Sequence, residues 1–373
     1  MTASSRRQRL LVYISGHGYG HVTQVAPVLN QLLQDLPALE LIIASAVNEQ
    51  FLRSRIVVPF IYEYRRADFG MLMQSALEVD VAGSVAAYLD FHGNWEMSVE
   101  TEAAWIDALQ PDAILSNVAY LPLAAAFQLN IPALAMCSLN WADILQYYAN
   151  EPMLDKVQQQ VRNAYASARG FLRIEPSMAM PWLHCYEVGP VADIVQENRT
   201  VIDQTLGLSK GTRLILVGMG GISTEINPAG FPALPNVHWL LPQAWIQDGQ
   251  RADFHALESL PLNFSTLLAS SDIVLTKPGY GTFVEAACHG VPVLYVPRDG
   301  WPEQDCLVSW LRLHGRCEQV DTDKLLSGDF ADAVLKLLHG TRLVPVIPDG
   351  NQQAALWIAD QLGLSAESQI RWS

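Results

Sequence analysis

The sequence predicts an α/β protein of two doubly wound parallel-sheet domains that face each other across a cleft. Three observations predict it. Short apolar runs of strand length alternate with longer runs of helical period, the pattern of βαβ units. The alternation breaks and then restarts in the second half of the chain. Each half opens with a buried strand that runs straight into a glycine-rich turn. At 373 residues, half of them hydrophobic and 16% charged, the chain exceeds one ordinary core and has the apolar material for two.

Taken in order, "RLLVYIS" reads as a strand and "VTQVAPVLNQLLQDL" as a helix. "ELIIASA", "DAILSN" and "PALAMCS" are further strands, with a helix in "VAYLPLAAAFQLN". Between about residues 50 and 110 the pattern weakens: "FHGNWEMSVETEAAWIDALQ" reads as helical, and the stretch before it is irregular. A helix in "EPMLDKVQQQVRNAYASA" follows, and Gly189-Pro190 mark a break. "RLILVGMGG", "VHWLLP", "DIVLTKPG" and "VPVLYVP" form the second set of strands, and "NQQAALWIADQLG" is the closing helix. The expected domains are residues 1–188 and 189–350, with 351–373 as a helix and tail that packs back on the first domain.

The formal charge of −15 argues against a nucleic-acid partner and against a purely electrostatic hold on anionic lipid. An anionic ligand has to be held by local dipoles and a few cations. Five cysteines without a C-x-x-C pair point to reduced thiols and a cytoplasmic setting. No apolar run approaches the length of a membrane span, so no transmembrane segment is expected. Oligomeric state is not readable.

The chemistry lies in two stretches. The first is Gly16-His17-Gly18-Tyr19-Gly20-His21. A strand–glycine loop–helix unit offers backbone N–H groups at a helix start, and Gly18 and Gly20 let an anion or a sugar ring come close. The spacing is G-x-G-x-G rather than the dinucleotide G-x-G-x-x-G, and the next strand carries no acidic residue at its tip for a ribose. No Gly-Lys-Ser/Thr follows, so it is not a P-loop. His21 falls in the first helical turn, where an imidazole suits the removal of a hydroxyl proton. A plainer role, capping the turn, is open to His21 and more so to His17.

The second stretch is "TKPGYGTFVEAACHGVPVLYVPRDGWPEQD". Here a strand meets Lys277, Gly279, Gly281 and Thr282, and a helix begins near Thr282. Those amides can cradle a diphosphate. Glu285, one turn on, can take both hydroxyls of a ribose. Glu303 and Gln304 offer the acceptor and donor mixture that a sugar's hydroxyls require.

Together the stretches resemble the GT-B glycosyltransferases, in the branch of UDP-sugar transferases and the N-acetylglucosaminyltransferase of peptidoglycan synthesis. "SGHGYGH", "SLNWADILQYY", "KPGYGT" and "PRDGWPEQD" further resemble the glycosyltransferase-like N-terminal half of plant L-arabinose kinases and related bacterial proteins. The resemblance implies two Rossmann-like domains and a metal-independent, inverting hexosyl transfer from a nucleotide sugar, UDP-linked, to an acceptor hydroxyl. It implies His21 as base, Gly220, Gly221, Gly279, Gly281 and Thr282 on the phosphates, Glu285 on the ribose, and Glu303 and Gln304 on the sugar. Where the family pairs its histidine with an aspartate, this chain has Asn117. Asp112 and Asp143 are candidate replacement acids. Because an amide cannot balance an imidazolium, a nucleotide-sugar-binding module without transfer is the alternative, with an epimerase ranked below it.

No cofactor is expected beyond the nucleotide sugar itself, and no metal. The only D-x-D, Asp321-Thr322-Asp323, reads as a helix cap, and the nine histidines show no ligand spacing. Trp141 and Trp301 fall in the resembling loops and are candidates either for core packing or for stacking on a sugar.

Overall fold

The computed structural model describes residues 7–75, 77–220, 226–246, 251–298, 300–341 and 343–365. It divides into two compact units. The first runs to Leu72, resumes over Val79–Val191 and takes the chain again from Pro348; the second holds Met73–Glu78 and Ala192–Ile347.

In the first unit, β1 (Arg9–Ile14), α1 (Tyr19–Asp35), β2 (Glu40–Ser45), α2 (Glu49–Arg55) and β3 (Ile61–Tyr64) are followed by two helices, α3 (Val81–Gly93) and α4 (Trp95–Leu109). Then come β4 (Ala113–Asn117), α5 (Leu121–Gln128), β5 (Ala133–Cys137), α6 (Trp141–Tyr148), α7 (Asp155–Ala166), β6 (Phe171–Glu175) and β7 (Cys185–Pro190). The seven strands form one parallel sheet in the order β3-β2-β1-β4-β5-β6-β7. Strands β1, β4 and β5 are buried almost end to end, which is why they read as continuous apolar runs.

The stretch from Phe91 to Gln110 is helical as expected, with α3 ending at Gly93 and α4 starting at Trp95. Gly189-Pro190 close β7, and the first unit gives way to the second one residue further on, after Val191.

In the second unit, α8 (Arg199–Leu206), β8 (Arg213–Gly218), β9 (Val237–Leu241), β10 (Phe254–Ala256), α9 (Phe264–Ala269) and β11 (Ile273–Thr276) lead into α10 (Tyr280–His289). After it follow β12 (Val293–Tyr295), α11 (Gln304–His314), β13 (Cys317–Gln319), α12 (Thr322–Ser327) and α13 (Ala331–His339). The parallel sheet has six strands in the order β10-β9-β8-β11-β12-β13. Its core gathers Ile215, Val217, Trp239, Leu275, Leu294, Val296 and Phe330, and Leu77 packs against it.

The last helix, α14 (Gly350–Leu362), belongs to the first unit. Its Gln353 side chain accepts from the Gly189 amide, and Trp357 stacks on Tyr186 at 5.2 Å. No helix among the described residues is long and apolar enough to cross a membrane.

Candidate functional site

In an open parallel sheet, ligands favour the carboxyl ends of the strands where the strand order reverses. That point lies between β1 and β4 in the first sheet and between β8 and β11 in the second. Both predicted loops leave the sheet there.

In the first unit, Ser15 to Gly18 join β1 to α1. The three glycines are not alike. A Cβ on Gly16 would sit 3.0 Å from the Ala46 Cβ, so packing keeps it small. A Cβ on Gly18 or Gly20 would meet nothing within 4 Å. Gly18 is extended at φ 160° and Gly20 is helical, so neither needs glycine for its backbone either. The fold leaves this surface bare without needing to.

His21 is turned inward and only 6% exposed. Its ring meets the edges of Trp141 and His17 at centroid distances of 5.8 and 6.3 Å. Its Nδ1 is 3.9 Å from the Cys137 Sγ, and that thiol donates to Gln24 Oε1 at 3.2 Å. Asn117 lies opposite Ile14 at the tip of β4. Its Nδ2 donates to Gln24 Oε1 at 3.2 Å and to the Met136 carbonyl at 3.0 Å. Burial pulls the His21 pKa down to about 4, and the Asn117 amide opposes that pull. The buried Asn117 Oδ1 itself makes no well-formed hydrogen bond. At neutral pH the imidazole is therefore uncharged, with a lone pair free to accept a proton.

Neither candidate replacement acid serves this ring. Asp112 precedes β4 and accepts from the Arg9 amide at 2.7 Å, at the amino end of the strands, whereas His21 follows their carboxyl end. Asp143 accepts from Asn140 and from Trp182 Nε1, and Arg162 lies 3.8 Å away. The acid that does stand by this loop is Asp68, which sequence reasoning missed. Ser15 Oγ donates to it at 2.9 Å and Trp141 Nε1 at 2.8 Å. Trp141 is fully buried; it is a packing and hydrogen-bonding residue, not an open platform for a sugar.

In the second unit, Lys277 leaves β11 and α10 begins at Tyr280, two residues ahead of Thr282. Gly279 stands at the N-cap without a side-chain cap bond, and a Cβ there would have nothing nearer than 3.9 Å. Gly220, at φ +83°, follows β8, and a Cβ on it would lie 3.4 Å from the Lys277 Cε. Gly221 lies outside the described residues. Gly281 is buried in the first turn of α10, and Thr282 beside it is partly exposed. Lys277 is pulled down to about 7, by burial first and by the Arg298 charge second, while Glu303 opposes.

Arg298 is the second residue that sequence reasoning missed. It follows β12, next to β11 in the sheet, so Gly220, Lys277 and Arg298 lie along adjacent strand ends. Its guanidinium lies 3.5 Å from the centroid of the Trp301 ring and donates to Met73 Sδ at 3.2 Å. Gln304 Oε1 accepts from the Arg298 amide at 2.5 Å, and Glu303 accepts from Trp301 Nε1 at 3.2 Å. Glu303 and Trp301 are both buried. Glu285 is 2% exposed, with Ser265 Oγ donating to it at 3.4 Å; it lies beneath α10 rather than on its open face. Asp321 takes the N-cap position of α12, but its carboxylate accepts from Gln319 instead of capping. Among the described residues no group of three or more His, Cys, Asp or Glu could hold a metal ion.

Two parallel-sheet units, each with a glycine turn at its switch point, make up the GT-B glycosyltransferase fold, and solved structures agree. The kitacinnamycin glycotransferase is similar at a TM-score of 0.65 and 16% identity, over 96% of this chain and 100% of that one. The calicheamicin glycosyltransferase CalG4 gives 0.61 and 16%, over 96% and 99%. Arabidopsis thaliana UGT89C1 complexed with UDP gives 0.60 and 14%, over 95% and 100%. In sequence, the chain is 25% identical over 334 residues to the L-arabinokinase of Arabidopsis thaliana, a match covering 84% of this chain and 30% of that one. It thus spans under a third of that relative's length. No family model matches the chain.

Proposed function

We propose that the protein is an inverting glycosyltransferase that moves a hexosyl group from a nucleotide sugar, UDP-linked, to an acceptor hydroxyl. The observation that carries this reading is the bare backbone at Gly18, Gly20 and Gly279. Each sits at a sheet switch point, and neither packing nor dihedral angle calls for glycine there. A glycine that the fold does not need is explained by a ligand that comes close. The UDP bound to UGT89C1 is a ligand of the right chemistry.

In this reading the diphosphate lies at the N-terminus of α10, where Gly279, Gly281 and Thr282 offer donors, with Gly220 and Gly221 on the β8 side. Arg298 adds positive charge, and Lys277, held near 7 by its burial, gains its full charge when a diphosphate beside it favours the protonated form; together they take the place of a divalent ion. Glu285 reaches the ribose after a local shift of α10, and Glu303 and Gln304 hold the sugar. The acceptor oxygen forms a bond to the anomeric carbon as the bond from that carbon to the diphosphate oxygen breaks. UDP carries away the electron pair. The acceptor's proton passes to His21. An imidazole with a pKa of about 4 holds a proton weakly, so this transfer has to accompany bond cleavage rather than precede it.

Asn117 favours a second reading, a module that binds a nucleotide sugar without transfer, because no carboxylate stabilises the imidazolium. Incubation with radiolabelled UDP-glucose, UDP-galactose or UDP-N-acetylglucosamine, with UDP release as readout, separates the two. Release is expected, and His21→Ala should cut it by about a hundred-fold or more while UDP affinity stays within about two-fold. Tight binding with no release, with water alone and across a panel of sugar and polyol acceptors, supports the module and sinks the transferase.

A further inference from the structure

Residues 68–71 lie in the stretch between β3 and α3 that the sequence leaves least readable, and they close around the histidine-bearing turn. Asp68 is 6% exposed and accepts from Ser15 Oγ, from Trp141 Nε1 and from the Gly16 amide. Gly70 has φ +61°, and a Cβ there would fall 2.7 Å from both His17 Cδ2 and Trp141 Cη2. Only glycine fits, for strain and for space. The Met71 carbonyl is 3.0 Å from His17 Nε2. The chain entering this clamp is itself pinned: the Arg65 amide donates to the Ser45 carbonyl, and its guanidinium pairs with Glu102 at 2.6 Å.

We propose that Asp68 is the positioning acid of the histidine turn, holding Ser15, Gly16 and the Trp141 indole so that the indole fixes the rings of His17 and His21. The inference rests on the proposed transferase only in giving that fixing a catalytic purpose. Physically, one carboxylate gathers three donors from two elements, the β1–α1 turn and the start of α6. Trp141 then meets His17 at 5.0 Å and His21 at 5.8 Å, edge to face in both cases. An asparagine at 68 would present at least one N–H to this ring of donors and lose part of the grip.

Burial raises the Asp68 carboxyl to about 6, against the pull of its three hydrogen bonds and of Arg66. The other ionisable groups around it are His17 of the β1–α1 turn, whose ring meets Trp141, Tyr88 from α3, Tyr120 ahead of α5 and Tyr165 from α7. The three tyrosine phenols are raised well above their ordinary value, by burial first and with the Asp68 charge among the lesser causes. The phenols stay neutral, as does His21; the change of charge near pH 6 is assigned to Asp68, and His17→Gln, which should leave it in place, separates it from the neighbouring imidazole. On protonation it must donate where it accepted, and one of its three donors is turned away.

The test reads ring resonances and turnover separately. With histidines labelled in carbon-13 and nitrogen-15, and His21 assigned through His21→Gln, the wild-type His21 ring should show an inflection near pH 6. In Asp68→Asn that inflection should vanish, and UDP release should fall about ten- to a hundred-fold with little change in KM for the UDP-sugar. Trp141→Phe keeps an aromatic ring but removes the Nε1–H, and should reduce both the inflection and turnover if Asp68→Asn fails to fold. An absent inflection in the wild type, or one that persists in Asp68→Asn, overturns the proposal, as does a Trp141→Phe variant with unchanged His21 shifts. If the inflection behaves as expected and the wild type releases no UDP, the transferase reading fails and the positioning role stands.

Discussion

Gly20 sits in the first turn of α1, where alanine would be the better helix former by about 0.5–1 kcal/mol. A Cβ there meets nothing. The fold alone would therefore gain from Gly20→Ala, and a higher melting temperature is the expected outcome. If the bare backbone is kept for a ligand, the same variant should lose at least about ten-fold in UDP release. A variant that is both more stable and fully active would remove the main support for the site. The residue scale is also where the sequence was least legible. His21, Lys277 and Gly279 announced themselves because each stands within a few positions of a glycine turn. Asp68 and Arg298 did not. Asp68 meets Ser15 and Trp141 across 53 and 73 positions, and Arg298 meets Met73 across 225; no local pattern encodes such pairs.

Elements followed their burial. The strands of β1, β4, β5, β8 and β11 were legible because both faces are covered, which forces an unbroken apolar run. Their sheet-edge counterparts were not. β3 reads "IYEY" and β13 reads "CEQ"; both are short, carry a glutamate, and have no fully buried residue. The stretch around Asn94 was legible as helical because helical period continues on both sides of it, in α3 and in α4. α14 shows an element whose partner the sequence could only guess. Trp357 stacks on Tyr186 of β7, and a Cβ on Gly170 would lie 3.1 Å from its ring. Trp357→Ala should therefore destabilise the first unit by about 1–3 kcal/mol. The measure is urea unfolding followed by hydrogen exchange, with the loss confined to amides of β5, β6, β7 and α14. Equal loss in β8 and β11 of the second unit would contradict that assignment.

For the whole molecule, the net charge of −15 works against the ligand that the site is proposed to take. A nucleoside diphosphate approaching from bulk meets the summed field first, and only at close range Arg298 and the partly protonated Lys277. The two contributions differ in reach. At about 10 mM salt the screening length is roughly 30 Å, so the whole acidic surface is felt; at about 100 mM it is roughly 10 Å. Adding salt should thus remove the distant repulsion while sparing most of the short-range attraction, since Arg298 is buried and Lys277 largely so. Stopped-flow measurement of UDP binding should give an association rate that rises several-fold between those two conditions. This is opposite to the behaviour of a protein that steers an anion with a broad basic face, whose association slows with salt. An association rate that falls over that range would mean that the cations at the ends of β11 and β12 dominate the field well beyond the loop. The acidic remainder of the surface would then have no part in how the ligand arrives.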